Sequence, residues 1–269
     1  MSEASRNAPF GRRHLTVCGM DELGAYRLLR VADPAGPDPQ PGQFAMLAAA
    51  EHWGGGLDER PYLPRALSVA RQSQGESHFL LEDVGPGTRR LCELRAGDGV
   101  WALGPLGRGF TPPPASRRAI LVGGGVGIAP LAILQDALAT EATVLLGFRD
   151  GARARGAALL REAFVATDDG SSGHHGLVTD LLEAQIQRDP DAVVYACGPA
   201  SMLEGVRAIC AASGTPAQLA LEAAMACGFG ACFGCVVPAR HGYLRVCVDG
   251  PVIDAAQLDH VDQYAGAPA

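Results

Sequence analysis

The sequence predicts two dissimilar halves and a short tail: an antiparallel β-barrel or sandwich, a parallel sheet interleaved with helices, and a small cysteine-rich C-terminal segment. Three observations carry this. From His14 to Gly104, short runs with β-branched and aromatic members are punctuated by Gly and Pro, as in an all-β unit. Beyond residue 114, apolar runs alternate with segments of helical periodicity, as in successive βαβ units. Four of the eight cysteines crowd between Cys227 and Cys247.

In the first unit, strands are predicted at 14–17, 26–31, 44–47, 66–70, 79–84 and 100–103, with one short helix at 88–94. Thr111-Pro112-Pro113-Pro114 can extend neither a helix nor a central strand and marks a boundary. The first domain is therefore placed at 12–112 and the second at 116–221. The second has strands at 119–122, 143–148 and 192–196, and helices at 131–139, 157–164, 178–187 and 200–212. The polar Gly/Ser-rich stretch 167–175 reads as a loop. Residues 222–262 lack periodicity, and a segment that short needs a staple other than a core of its own.

Composition narrows the partners. The 269 residues are 48% hydrophobic and 19% charged, enough apolar matter for a sizeable core and too little charge for a disordered chain. The net charge is −7 without any basic run, which disfavours nucleic acid and anionic membrane surfaces. No apolar stretch reaches the ~20 residues a membrane helix needs, and residues 1–10 lack the apolar core of a signal peptide. The chain reads as cytoplasmic. In that compartment clustered cysteines point to metal, not to disulfides. Cys18, Cys92, Cys197 and Cys210 lie among apolar neighbours and read as buried thiols, Cys197 also opening a glycine turn.

Cys227, Cys232, Cys235 and Cys247 form a C-x4-C-x2-C-x11-C pattern. The C-x4-C-x2-C…C order is that of plant-type [2Fe–2S] ligands. Three thiolates on one tight loop must converge, and Gly228, Gly230 and Gly234 give the backbone that freedom. Phe229 and Phe233 are placed to shield the site. The alternative for the same residues is a structural zinc site, although zinc favours two separated pairs over a triplet plus one.

Two turns in the second half and two in the first suit anions. Gly123-Gly124-Gly125-Val126-Gly127-Ile128 runs from a strand into a helix, offering N–H groups to a pyrophosphate. It lacks the third glycine of the full dinucleotide fingerprint, so a ligand-free βα turn is the competing reading. Cys197-Gly198-Pro199 repeats the strand–glycine–helix arrangement. In the first half, Arg65-Ala66-Leu67-Ser68 enters a strand, where an arginine can grip a phosphate bidentately or simply be a solvated charge. Gly87-Thr88 opens the short helix, as an anion site or as a plain turn. No general-base constellation for a substrate of its own is evident, so no catalytic residue is assigned.

In order along the chain stand Pro41-Gly42-Gln43-Phe44, Arg65-Ala66-Leu67-Ser68, Gly87-Thr88, Gly104-Pro105-Leu106-Gly107, the 123–130 glycine turn and Cys197-Gly198-Pro199. Over residues 12–221 this resembles the ferredoxin–NADP reductase superfamily. The tail, from Leu221-Glu222 through Cys235 and then Arg245-Val246-Cys247-Val248-Asp249-Gly250-Pro251-Val252, closely resembles electron-transfer subunits of class 1B dihydroorotate dehydrogenase. The resemblance implies an antiparallel flavin-binding β-barrel, a doubly wound parallel-sheet nucleotide domain and a small C-terminal [2Fe–2S] appendage. It implies FAD, a [2Fe–2S] cluster and NAD(H). It also implies a separate FMN-containing catalytic subunit, two of each in a heterotetramer, converting dihydroorotate to orotate in pyrimidine biosynthesis.

By the same resemblance, Arg65 lies at the FAD pyrophosphate, Ser68 near the flavin, and Ala66 and Leu67 beside them. Leu80, Leu81 and Glu82 belong to an FAD-contacting strand, and Gly87 and Thr88 to a second phosphate motif. Gly124, Gly125, Gly127, Cys197, Gly198 and Pro199 face the nicotinamide nucleotide, and Cys227, Cys232, Cys235 and Cys247 are the cluster ligands. Three departures stand out. Leu67 replaces a frequent aromatic, the Cys235–Cys247 spacing is short, and residues 53–58 look like an added loop. After the strand ending at Phe148 stand Arg149, which would suit a 2′-phosphate, and Asp150, which favours a free 2′-hydroxyl, with no basic cluster around them; together with the resemblance this makes NAD(H) the preferred nucleotide. The alternatives are a reductase serving another oxidoreductase (an oxygenase, hydrogenase or sulfur enzyme) and a non-enzymatic zinc-binding module.

Overall fold

A computed structural model describes residues 11–54 and 60–261. The reading of residues 1–10, most of the 53–58 loop, and residue 262 lie outside them. Six strands close an antiparallel barrel: β1 (Arg12–Leu23), β2 (Tyr26–Ala32), β3 (Phe44–Ala49), β4 (Arg65–Ser73), β5 (Glu76–Glu82) and β6 (Gly99–Leu106), in the order β1-β2-β5-β4-β3-β6. Alternation sorts each strand. Ala45, Leu47 and Ala49 of β3 point into the barrel with Val17, Leu29, Phe79 and Val100, while Phe44 and Met46 point out. Helix α1 (Pro86–Cys92) covers one end and buries Leu91 in the barrel core.

The second unit is a seven-stranded sheet. Its strands are β7 (Ala119–Gly124), β8 (Thr143–Phe148), β9 (Ala163–Thr167), β10 (His174–His175), β11 (Val193–Cys197), β12 (Ala217–Ala220) and β15 (Val252–Asp254), ordered β10-β9-β8-β7-β11-β12-β15. All neighbours pair in parallel except β15, which runs antiparallel to β12. Every residue of β7 and β11 is buried, as a sheet covered on both faces requires. Helix α2 (Ala129–Ala137) packs on one face, while α4 (Val178–Arg188) and α5 (Ala200–Ser213) pack on the other. The sheet is therefore doubly wound.

Several expectations need correction. The helix expected at 157–164 is a 3-10 turn over Arg155–Leu159 followed by strand β9. Its Ala/Leu/Glu-rich composition favours helix, but tertiary pairing with β8 overrides that weak propensity. The expected 167–175 loop ends in β10. Strand β12 and the tail strands β13 (Val236–Ala239), β14 (Gly242–Arg245) and β15 were not anticipated; at three or four residues they carry no readable period. Cys197 and Cys210 are buried as expected, but Cys18 and Cys92 are only partly so.

The tail is woven into the rest. Cys235, Val237, Val246, Cys247 and Ile253 share one apolar cluster with Phe44, Met46 and Leu106 of the barrel and with the β7–β11 face of the sheet. The Arg108 amide donates to the Gly250 carbonyl at 2.5 Å, and the Leu221 amide donates to the Pro251 carbonyl at 2.9 Å. Residues 250–254 thus touch barrel, sheet and cysteine loop together.

Candidate cofactor and cluster site

The hairpin β13–β14, paired Val236↔Arg245 to Ala239↔Gly242, turns the chain back on itself. Cys235 immediately precedes it and Cys247 follows within two residues of its end, which accounts for the short spacing. The sulfurs of this pair lie 3.2 Å apart and are 3% and 2% exposed, and the Cys247 amide donates to Cys235 Sγ at 3.4 Å. Cys227 and Cys232 make a second pair, the Cys232 side chain helping to lower the Cys227 thiol. Burial raises the Cys227 thiol, but N–H groups of Phe229, Cys232 and Ala231 outweigh burial and bring it down to about 6. Burial, then Cys235, pushes the Cys247 thiol up to about 12. All eight cysteines are free thiols.

Among the described residues, no three side chains are grouped to hold a single metal ion. A two-iron cluster takes four cysteine thiolates, two to each iron. Cys227/Cys232 and Cys235/Cys247 are two such pairs, ringed by amide donors, and they fit that group.

The cysteine loop is seated on the barrel. Gly228 adopts φ +79, and a Cβ there would stand 2.5 Å from Met46 Cγ. Met46 pairs across strands with Ala66, Phe44 with Ser68, and Leu47 with Arg65. Ala66 and Ser68 therefore share the outer barrel face with Met46. Leu67 points the other way, into the barrel core, and offers no stacking surface outside.

Arg65 reaches the start of α1. Its guanidinium lies directly against Gly87, in the space a Cβ there would take. Arg65 Nη1 donates to the Leu63 carbonyl at 2.7 Å. The Thr88 hydroxyl accepts from the Val84 amide at 3.0 Å and donates to the Gly85 carbonyl at 3.2 Å, fixing the turn. Two motifs 20 residues apart in sequence thus form one cationic cradle, suited to a pyrophosphate. Leu80 and Leu81 are buried in core, so neither side chain is available to a ligand. The Glu82 carboxylate is bound by Arg153, 2.9 Å from Nε.

At the sheet, chain order reverses between β7 and β11, the switch point where open α/β sheets bind ligands. The 124–127 turn and the Gly198-Pro199 turn meet there: Gly123 pairs with Cys197, and a Cβ on Gly127 would lie 2.6 Å from the Cys197 carbonyl and from Gly198. Some of these glycines therefore serve close packing of the two turns. Burial raises the Cys197 thiol well above its usual range, with Glu222 adding to it. Glu222 was missed by sequence reasoning. It is open to solvent on one side but hemmed in by protein, and that enclosure raises its carboxyl. Asp150, expected near a ribose, stands two residues past the end of β8 and caps α3 (Gly151–Ala154), accepting from the Arg153 amide at 2.9 Å.

Residues 222–259 match the family model described as the iron-sulfur cluster binding domain of dihydroorotate dehydrogenase B. The electron transfer subunit of dihydroorotate dehydrogenase B (NAD(+)) from Geobacillus thermodenitrificans (strain NG80-2) is 38% identical over 264 residues, covering 92% of this chain and 98% of that protein. This chain belongs to that family. The same subunit from Bacillus caldolyticus is 41% identical over 264 residues, at the same coverage of both proteins. An NADH-dependent reduced ferredoxin-NADP oxidoreductase structure superposes with a TM-score of 0.77 at 24% identity, covering 94% of this chain and 92% of its own. A ferredoxin NADP+ reductase from Neisseria gonorrhoeae superposes at 0.59 and 16% identity, covering 76% and 92%. These two share this chain's fold. Among this member's described residues, no helix is long and apolar enough to cross a membrane.

Loss of the Arg65 guanidinium should be visible directly. A charge-assisted hydrogen bond contributes roughly 1.5–3 kcal/mol, so Arg65→Ala is expected to weaken flavin retention about tenfold or more. Flavin content after gel filtration checks it, and full retention would remove Arg65 from the cradle.

Proposed function

We propose that the chain is the electron-transfer subunit of an NAD-linked dihydroorotate dehydrogenase, joining NAD(H) to a separate FMN-containing catalytic subunit in pyrimidine biosynthesis. When bound, FAD and a [2Fe–2S] cluster supply the exchange between two-electron and one-electron chemistry. The chain's own residues hold and space these groups. Arg65, Gly87 and Thr88 cradle the FAD pyrophosphate, and the outer face at Ala66 and Ser68 receives the flavin. The two thiolate pairs take the cluster, and the 124–127 and 197–199 turns take the nicotinamide nucleotide.

One observation supports this reading above the others. The cysteine loop sits on Met46, the cross-strand partner of Ala66, so the cluster and flavin positions are one side chain apart. The assembly is read as two copies of each subunit. We assign it to the cytoplasm, where clustered cysteines hold metal and the thiols outside the cluster stay reduced.

The test is a visible spectrum of the purified chain, followed by mixing with an FMN-containing catalytic subunit. Flavin and iron–sulfur bands that NADH bleaches, and dihydroorotate-dependent NAD+ reduction in the mixture, are expected. A colourless protein would overturn the reading. A coloured protein inert with that partner would leave a reductase serving a different oxidoreductase.

A further inference from the structure

The barrel and the α/β unit meet along a seam crossed by two ion-pair junctions. At one, Arg71 of β4 reaches Asp136, near the C-terminal end of α2, at 2.5 Å. It also donates to the Leu159 carbonyl at 2.6 Å. Helix α2 starts at the ligand edge of the sheet and runs away from it, so Asp136 stands about two turns of helix back from the glycine turns. At the other, Arg153 of α3 reaches the last residue of β5: its Nε and Nη2 lie 2.9 and 2.8 Å from one oxygen of Glu82. Its Nη1 holds Asp150, just past the C-terminal end of β8, at 2.6 Å. The Ala25 amide donates to the Ala152 carbonyl at 3.2 Å beside it.

Tyr26 fills the corner behind this second junction. It pairs across strands with Glu82, its side chain is wholly buried, and its ring centroid lies 6.4 Å from that of Phe148. Its hydroxyl faces Gly125 of the nucleotide turn and has no hydrogen-bond partner among the described residues. Thus one guanidinium, backed by one buried ring, ties the end of a barrel strand to the ligand edge of the sheet. From Glu82 the chain runs four residues to Pro86 and the α1 turn that Arg65 touches.

We infer that Arg153 and Glu82 are positioning residues: a latch, seated on Tyr26, that sets the distance between the nicotinamide on the sheet and the flavin on the barrel. The Glu82 carboxylate, held by Arg153, then serves geometry. The inference rests on the reading given above, in which the nucleotide reduces a flavin held by the barrel. Small displacements matter in such a step, since an error of about 1 Å in the reacting pair can cost on the order of 100-fold in rate. The latch residues are only partly exposed, 31% for Arg153 and 19% for Glu82, so solvent does not replace the contact freely.

The test compares Arg153→Met, Glu82→Gln, Arg153→Lys and, as the seam control, Arg71→Met. In holoprotein, reduction of bound FAD by NADH is followed by stopped flow. In flavin-free full-length protein, hydrogen exchange is followed over residues 24–27 and 150–156. Arg153→Met and Glu82→Gln should slow flavin reduction about tenfold or more at unchanged FAD content. Arg153→Lys should recover most of the rate, and Arg71→Met should change it less than about threefold. Exchange should speed up in Arg153→Met and not in Arg71→Met.

Wild-type rates in Arg153→Met, equal slowing in Arg71→Met, or unaltered exchange would each overturn the latch. Loss of FAD from Glu82→Gln would overturn it too, by making Glu82 a flavin ligand. If NADH fails to reduce the wild-type flavin at all, the functional reading falls, and the exchange measurement still decides whether the latch exists.

Discussion

Replacing Cys247 with alanine is expected to give a yellow protein with FAD, with NADH-driven dye reduction, and with no cluster iron. Cys247 is 2% exposed and shares an amide-ringed pocket with Cys235, so no water can stand in for the missing thiolate. One iron would lose half of its thiolate pair. The Arg65–Gly87 cradle contains no residue of the tail, so flavin binding and dye reduction should survive. Removing one sulfur from the core costs about 1 kcal/mol, small enough for the fold to persist. Coupled dihydroorotate chemistry should fall to background. Iron and sulfide analysis alongside a dye assay checks this; a full complement of both in the variant would remove Cys247 from the ligand set.

The second large effect concerns docking. Phe229, Phe233 and Tyr243 are 43%, 62% and 76% exposed around the cysteine loop. Val237 and Val252 of the same segment are buried, and Val236 is partly so. What remains exposed is aromatic and borders the exposed Cys232, and an exposed apolar patch of this kind marks an interaction site. Phe233 holds a left-handed backbone at φ +59, with Arg245 5.6 Å above its ring. Aspartate tolerates that conformation better than phenylalanine, so Phe233→Asp should fold normally. An aromatic anchor contributes about 2 kcal/mol or more to an interface. The variant should therefore keep NADH–dye activity and lose both co-purification with the catalytic subunit and coupled turnover. If both activities survived together, the docking face would lie elsewhere.

How far the sequence could be read depended on the range of the interactions. Barrel strands and the β7 turn announced themselves because their signals are local: alternation, glycine, proline. The four cysteines were legible because their spacing is itself the chemistry. What escaped was non-local. Nothing near Arg65 says that its guanidinium will abut Gly87, and nothing near Glu82 says that Arg153 will claim it. Glu222 gained its meaning only from standing beside Cys197 in space. Strand β9 was misread because its residues favour helix and only the neighbouring β8 decides otherwise.

Strand β15 carries a consequence for anyone wishing to separate the flavoprotein from its cluster. It is the outermost strand of the sheet, and it hides the backbone donors and acceptors of β12 along Gln218, Leu219 and Ala220. Cutting the chain at Leu221 would do more than delete the cysteines. It would leave an apolar, unpaired sheet edge open to solvent, a template on which a second molecule can add its own strand and begin to aggregate. The iron site and the solubility of the nucleotide domain are thus encoded in one stretch of chain. A cluster-free form is better made by point substitution at the thiols than by truncation.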